Sequence, residues 1–318
     1  MLLERSRALP FKVTAIVTAH HGWRVDANGI DLAEALRATT LGSSGAAPAI
    51  AELPGDVLVE LTTLDVRTGQ PAFDHLMAGL RARKHAVTAN KGPIALHLGP
   101  LREAAWIARR ELRFEATVAD CLPVFDLARA ALPLAEVRAI RGIVSSTTNH
   151  ILSAAARGVP FADALAEAQR LGIAEADPKN DLEGWDAAAK ATILANVLMG
   201  AAIAVDDVRR EPIDEAAALE ATRVAKDGAR LRPVVSVRAR QARRHAHHLE
   251  PTDVEAVFGP RRLDPLDPLY AVDGWSMAIE LDTDLAGRVV VQLHDPHVEQ
   301  VAYAVLTDLL EIAGWRPA

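Results

Sequence analysis

The chain has 318 residues, a formal net charge of −7, half of its residues hydrophobic and only 4% aromatic. That length suits two domains or one large one, with a core filled mostly by Ala, Leu and Val. The acidic balance argues against a nucleic-acid or anionic-membrane surface as the main partner. The single cysteine, Cys121, permits no intrachain disulfide and fits a reducing cytoplasm. No apolar run approaches the roughly 20 residues of a membrane span. The opening MLLERSRALP lacks the regions of a signal peptide, so a soluble cytoplasmic protein is expected.

Apolar runs alternate with helical patterns in the first third of the chain. Lys12–Thr18 is expected to be a strand, Asp31–Thr39 a short helix and Gly42–Pro48 a loop by composition. Asp56–Thr62 is a second buried strand entered through Pro54-Gly55. Pro71–Arg83 is a helix with proline at its tolerated start, and His85–Asn90 a third strand. This alternation predicts parallel βαβ units in a Rossmann-like, doubly wound α/β domain. After about residue 115 helices dominate from Pro123 to Gly200, interrupted by an apolar run at Val137–Val144. Strand-like runs follow at Val234–Arg238, Ser276–Leu281 and Arg288–Leu293, the last two joined by a hairpin-like Asp282–Gly287. These predict an α+β domain. Glu299–Ala313 is a final amphipathic helix, with Val301, Val305, Leu306, Leu309 and Ile312 at helical spacing. The expected division is 1–115 completed by 294–318, and 116–293.

The segment from Gly172 to Lys190, GIAEADPKNDLEGWDAAAK, concentrates the chemistry. Its first part, punctuated by Gly172, Pro178 and Gly184, is loop. Asp186–Met199 is a helix stopped by Gly200 and apolar nearly all round, the pattern of a buried helix. Asp186 and Lys190 share one face with Ile193, Leu194 and Val197. An Asp-x-x-x-Lys pair is most often a solvated surface ion pair of small worth. On an apolar stripe fed by a carboxylate-rich loop, a lysine becomes a candidate acid or base. A metal site is the competing use of so many carboxylates, and two lysines in the segment count against it. His245, His247 and His248 lie in an Arg-rich polar run, which disfavours a metal there, and Cys121 is expected to be a small buried hydrophobe.

The motif G-x-A-E-A-D-P-x-x-D-L-x-G-x-D-A-x-x-K resembles the signature of the homoserine dehydrogenase family. Val87–Lys91 is similar to that family's T-A-N-K turn, Arg141–Asn149 to its G-I-x-N-G-T-x-N segment and Glu115–Pro123 to its E-x-x-V-x-x-x-x-P stretch. Further likeness at Asp282–Gly287 and Val305–Leu310 extends it over nearly the whole chain. The resemblance implies NAD(P)-dependent interconversion of L-homoserine and L-aspartate 4-semialdehyde, in a homodimer formed through the second domain's sheet. It implies that Lys190 transfers the proton at the homoserine hydroxyl and that Glu175 binds the substrate ammonium. Asp186 and Asp181 would help hold the substrate, and Lys91 would lie by the nicotinamide and the reacting carbon. Thr62, Ala89 and Gly172 would line the cofactor. Glu115, Val118, Asp120 and Leu122 match a monovalent-cation site, expected to take sodium and built partly from carbonyls.

The chain departs from that pattern in places. A dinucleotide domain opens with a strand, a G-x-G-x-x-G turn and a helix that holds the pyrophosphate. Met1-Leu-Leu-Glu-Arg resembles the back half of that helix, and no G-x-G-x-x-G occurs anywhere. The leading expectation is a truncated or misassigned start, with a missing strand between those at Lys12–Thr18 and Asp56–Thr62. The alternative is a cofactor-deficient relative with a binding or regulatory role; a third reading is a dehydrogenase of a related semialdehyde or hydroxy acid. His294–Gln300 stands where the family has a Gly-Ala-Gly type turn, Ser145-Ser146 where it has Asn-Gly, and Ala119–Cys121 where it has a Gly-rich stretch. After Lys12–Thr18 comes Thr18-Ala-His-His21 and then Arg24, with no acid to grip a ribose 2′-hydroxyl, which leans towards NADP over NAD.

Overall fold

In the computed structural model, which describes residues 9–43, 45–240 and 253–315, the chain divides into two units. One is Met1–Phe114 with Val305–Ala318, the other Glu115–Ala304.

The first unit holds a parallel sheet of β3 (Val57–Glu60), β4 (His85–Thr88) and β5 (Leu112–Arg113), in that spatial order. Helices α2 (Ala72–Arg81) and α3 (Lys91–Ala108) connect the strands as two βαβ units. The apolar runs at 57–60 and 85–88 account for the strands, since a parallel sheet is covered by its crossovers. Non-helical φ/ψ at His97 kinks α3 next to Pro100, whose ring cannot donate to the preceding turn. β1 (Ala15–Val17) does not join this sheet. It pairs antiparallel with β2 (Trp23–Val25), closed by Thr18 N–H donating to the Gly22 carbonyl at 3.0 Å. Thus the strand expected at Lys12–Thr18 exists, but its partner is its own sequence neighbour rather than a parallel strand. β1 and β3 form no ladder with each other, and Val17 and Val59 stand 45% and 37% exposed. Helix α1 (Leu32–Arg37) begins at Asp31, whose side chain accepts from the Glu34 N–H.

The second unit is a six-stranded mixed sheet in the order β11-β10-β6-β8-β9-β7. Its strands are β6 (Val137–Ile143), β7 (Arg209–Arg210), β8 (Arg230–Ala239), β9 (Val254–Leu263), β10 (Met277–Thr283) and β11 (Arg288–Leu293). Asp282–Gly287 closes the β10–β11 hairpin as expected, with Thr283 N–H on the Gly287 carbonyl. Sequence reading missed β9, which pairs with β8 along its whole length. Helices α4 (Ser146–Ala156), α7 (Trp185–Leu198) and α8 (Glu215–Lys226) pack against β8, with α5 (Phe161–Arg170) against α4. The core beneath them includes Ile143, Val234, Leu263, Leu269, Val272 and Ala278. α6 (Lys179–Leu182) leads into α7, and α9 (Val298–Ile312) closes the described chain. No helix of the described residues is long and apolar enough to cross a membrane. His245, His247 and His248 lie outside the described residues.

Candidate functional site

In the first unit the candidate residues gather where β3 and β4 end. Ligands bind at strand C-termini in parallel sheets because successive loops diverge there. The β3 exit carries Thr62; the β4 exit carries Ala89 and then Lys91, the first residue of α3. Asn90 caps α3, its Oδ1 accepting from the Gly92 N–H at 3.2 Å. The Asn90 amide nitrogen donates across to the carbonyls of Thr62 at 3.2 Å and Thr63 at 3.4 Å. Glu60, the last residue of β3, is buried. Its Oε1 accepts from the Thr62 N–H at 3.0 Å and from the Thr62 hydroxyl, and its Oε2 from the Thr88 hydroxyl at 3.3 Å. A side chain at Gly92 would collide with the Asp65 carbonyl, since a Cβ there would stand 2.5 Å from it. Glycine thus lets the 65–69 loop close over the start of α3. The exits thus present a strand-end ledge, a capped helix start and a lysine beside them.

In the second unit α7 carries Asp186 and Lys190 one turn apart. Lys190 Nζ lies 2.7 Å from Asp186 Oδ2 and donates to the Val144 carbonyl at 2.6 Å, with the lysine side chain 13% exposed. The helix behind them is buried through Ala187–Ala189, Ala191 and Ile193–Ala195, which explains why an Ala- and Leu-rich sequence is needed there. Gly184 starts α7 at φ +79, and a Cβ would stand 2.7 Å from Phe258 Cε1. Only glycine satisfies both the left-handed conformation and the approach to β9. The Val144 carbonyl sits at the start of α4, capped by Ser145. Thr147 Oγ1 donates to the Ile173 carbonyl at 3.1 Å, tying that start to the Gly172 loop. Gln169 Nε2 donates to the Glu175 and Ala176 carbonyls, so the loop backbone is held while the Glu175 side chain stays exposed. The Glu175 carboxylate makes no hydrogen bond or ion pair among the described residues. Asp181 lies half-buried in α6, and Gly172 is exposed at φ +73. The spacing signal therefore brings Asp186 and Lys190 together, while Glu175, Asp181 and Gly172 share the adjoining loop and turn.

Glu115 does not face a metal-like cluster of side chains. Its two carboxylate oxygens accept from the N–H groups of Phe125 and Asp126, both at 2.9 Å, capping the helical turn Val124–Asp126. Val118 and Leu122 are buried, and Ala119 and Asp120 both adopt φ 57. Among the described residues no group of three or more His, Cys, Asp or Glu side chains is placed to hold a metal ion. Any cation there would lean on main-chain carbonyls. Burial pushes the nearby Cys121 thiol up, with the Asp120 charge adding to it, away from the thiolate a nucleophile needs.

In the His294–Gln300 segment, Asp295 takes the left-handed conformation at φ 45. Asp is among the few side chains that tolerate it, so a turn with positive φ persists without glycine. Sequence reading missed two contributors. The Val144 carbonyl has no side-chain signature. Glu60 is a lone acid closing a Val-Leu-Val run, and a charge at the buried end of a strand is the signal that finds it.

Residues 123–310 match the model of the homoserine dehydrogenase family. The chain is 34% identical over 314 residues to a homoserine dehydrogenase of Methanocaldococcus jannaschii, spanning 95% of this chain and 89% of that protein. It is 31% identical over 317 residues to an NAD(+)-dependent homoserine dehydrogenase of Pseudomonas canavaninivorans, spanning 95% and 86%. A crystal structure of a putative homoserine dehydrogenase from Archaeoglobus fulgidus superposes with a TM-score of 0.83 at 30% identity, over 98% of this chain and 92% of that one. The chain belongs to the homoserine dehydrogenase family.

Proposed function

We propose that the protein interconverts L-homoserine and L-aspartate 4-semialdehyde with a nicotinamide dinucleotide. The observation that carries this is Lys190: a nearly buried ammonium fixed by Asp186 and the Val144 carbonyl, inside the family's signature segment. An ammonium has three N–H directions, and those two partners take two. The third is available to a substrate oxygen, where Lys190 exchanges the hydroxyl proton as the carbon is oxidised or reduced. Glu175, exposed in the adjoining loop and without a side-chain partner among the described residues, grips the substrate's ammonium, and Asp181 and Asp186 complete the polar wall. Thr62, Ala89 and Lys91 hold the nicotinamide end at the strand exits, and Gly172, at a left-handed turn, is a further cofactor residue in this reading. The cofactor, when bound, supplies the hydride acceptor or donor.

The dinucleotide is NADP in this reading. No acidic side chain follows β1, while His20 and His21 are exposed there; Arg24, the other basic candidate, is held by Glu34 at 3.0 Å. The Pseudomonas relative's name points to NAD, so paired Kd values for NADP+ and NAD+ decide. A sodium-type cation at Glu115, Val118, Asp120 and Leu122, the set the family resemblance implies, belongs to this reading, with the left-handed pair Ala119 and Asp120 among them; sodium-independent turnover removes it. A homodimer formed through the second unit's sheet, the assembly the family resemblance implies, belongs to this reading; on that sheet Glu280 of β10 and Arg141 of β6 are register partners and an ion pair. Sedimentation that returns a monomer overturns it.

The decisive assay is homoserine-dependent NADP+ reduction by the chain extended upstream to include a glycine-rich turn, with a panel of other hydroxy acids and semialdehydes to separate related dehydrogenases. No turnover with the fold intact sinks the reading. The separation of β1 from β3 favours a second one, a relative that keeps the homoserine pocket and holds no dinucleotide. Tight NADPH binding in calorimetry eliminates that alternative.

A further inference from the structure

We infer that Glu60 is a positioning residue for the candidate cofactor residues of the first unit, latching together the two strand exits that present Thr62, Ala89 and Lys91. The inference rests on the proposed function and goes beyond it, since it concerns a buried acid at the end of an apolar strand.

Glu60 is 2% exposed, and among the described residues its one basic side-chain neighbour within ion-pair distance is the His75 imidazole, whose Nδ1 lies 3.5 Å from Oε1. A carboxylate so deep, without lysine or arginine, is costly unless hydrogen-bond donors replace its water. Its donors all sit where the strands end. The Thr62 N–H and hydroxyl meet Oε1 on one exit, and the Thr88 hydroxyl meets Oε2 on the other. Glu60 and Thr88 are register partners in the parallel ladder, so the side chain spans the two strands at their last common rung. The circuit then closes on itself. Thr88 Oγ1 accepts from the Asn90 N–H at 2.9 Å, and the Asn90 side chain reaches back to the Thr62 and Thr63 carbonyls while capping the helix that begins with Lys91.

Donor and acceptor are assigned throughout this circuit. The Thr88 hydroxyl donates to Glu60 and accepts from Asn90, so only an acceptor at Oε2 completes it. Glutamine in place of Glu60 has the same shape but presents one amide nitrogen. Turned one way, its amide nitrogen faces the buried Thr88 hydroxyl, which loses its acceptor; turned the other, it faces the Thr62 N–H, donor against donor, at an exposed residue. A residue needed only to fill space would tolerate that change; a latch would not.

The test uses the full chain and Glu60→Gln, with Thr88→Val and Thr88→Ser beside it. Amide hydrogen exchange is followed at residues 62–64 and 90–92, and NADPH and NADP+ affinities by calorimetry. Unpairing one or two buried groups is expected to speed exchange at both exits about tenfold and to weaken NADPH about tenfold. Thr88→Val should reproduce this and Thr88→Ser should not. Exchange and affinity unchanged in Glu60→Gln overturn the inference, as does accelerated exchange spread evenly over both units, which would mark a general loss of stability. A wild-type chain that binds no NADPH fails the functional reading instead. The latch is then decided by exchange alone, with unchanged protection at the exits in Glu60→Gln overturning it.

Discussion

The candidate residues of the first unit and those of the second are held by opposite means. At the strand exits of the first unit, short neutral side chains and main-chain groups form a circuit around one buried carboxylate, and no single contact dominates. In the second unit one ammonium and one carboxylate stand on a helix buried along most of its length, and one carbonyl from the start of α4 meets the ammonium. A distributed network degrades in steps when parts are removed, whereas an ion-paired lysine on a rigid support is present or absent. Substitutions in α7 should therefore strike chemistry sharply, and substitutions at the exits should grade.

The largest expected effect follows from Lys190→Ala. Loss of a general acid–base group lowers kcat by roughly 10²–10⁴-fold, with homoserine binding by calorimetry largely kept. An unchanged kcat removes Lys190 from its role and with it the sharp side of the comparison. Gly184→Ala comes next and tests the support rather than the pair. Left-handed strain and the collision with Phe258 together are expected to cost about 2–4 kcal/mol in urea unfolding. A loss under ~1 kcal/mol means α7 yields more readily than its burial implies.

Two smaller predictions probe burial away from the chemistry. Arg232 is buried against the Ser153 hydroxyl and Asp273, the latter at 3.0 Å. Asp273→Ala leaves that guanidinium without its carboxylate. Because Asp273 is itself 58% exposed at its side chain, about 1–3 kcal/mol is expected rather than the full cost of a broken buried pair. Asn90→Ala removes the α3 cap and the cross-link to Thr62 and Thr63, for about 0.5–2 kcal/mol and a modest rise in KM for the dinucleotide. If Asn90→Ala abolishes turnover outright, the graded picture of the exits fails.

The smallest effect is a pH slope. Burial holds the His150 imidazole below its ordinary protonation range, although Glu167 beside it pulls the other way; Arg157 lowers it further and Asp273 raises it slightly. The unfolded chain then binds the proton first as pH falls. This group's contribution to stability is complete above about pH 6.5 and declines with acidification below it. His150→Phe should flatten the urea-midpoint profile between about pH 5 and 6.5, and an identical slope in both proteins discards the assignment.

How much of this was legible in the sequence tracks how local each signal is. The Asp186–Lys190 pair needs only helical spacing and an Ala-rich neighbourhood, and both are written in consecutive residues. Strands β3, β4, β6, β10 and β11 announce themselves as apolar runs, and the β10–β11 hairpin follows from its short connection. Pairing is a different matter. The run at Lys12–Thr18 is a strand by composition, yet nothing in it says that Trp23–Val25, three residues long, is its partner. β9 was missed because Gly259, Pro260, Arg261 and Arg262 interrupt its alternation, and its identity as a strand comes from β8 beside it. The acceptor that steadies Lys190 is a main-chain oxygen from 46 positions away, which no residue type advertises.

The two consecutive left-handed residues, Ala119 and Asp120, carry one more consequence. Holding a side chain in that conformation costs roughly 1–2 kcal/mol. Glycine would relieve it, but glycine also loses about 0.5–1 kcal/mol more conformational freedom on folding. The two terms nearly offset, so at such positions glycine and its replacements are close to exchangeable over time. A glycine-rich stretch can thus fade from a sequence by neutral drift while the loop keeps its path and its carbonyls keep their direction.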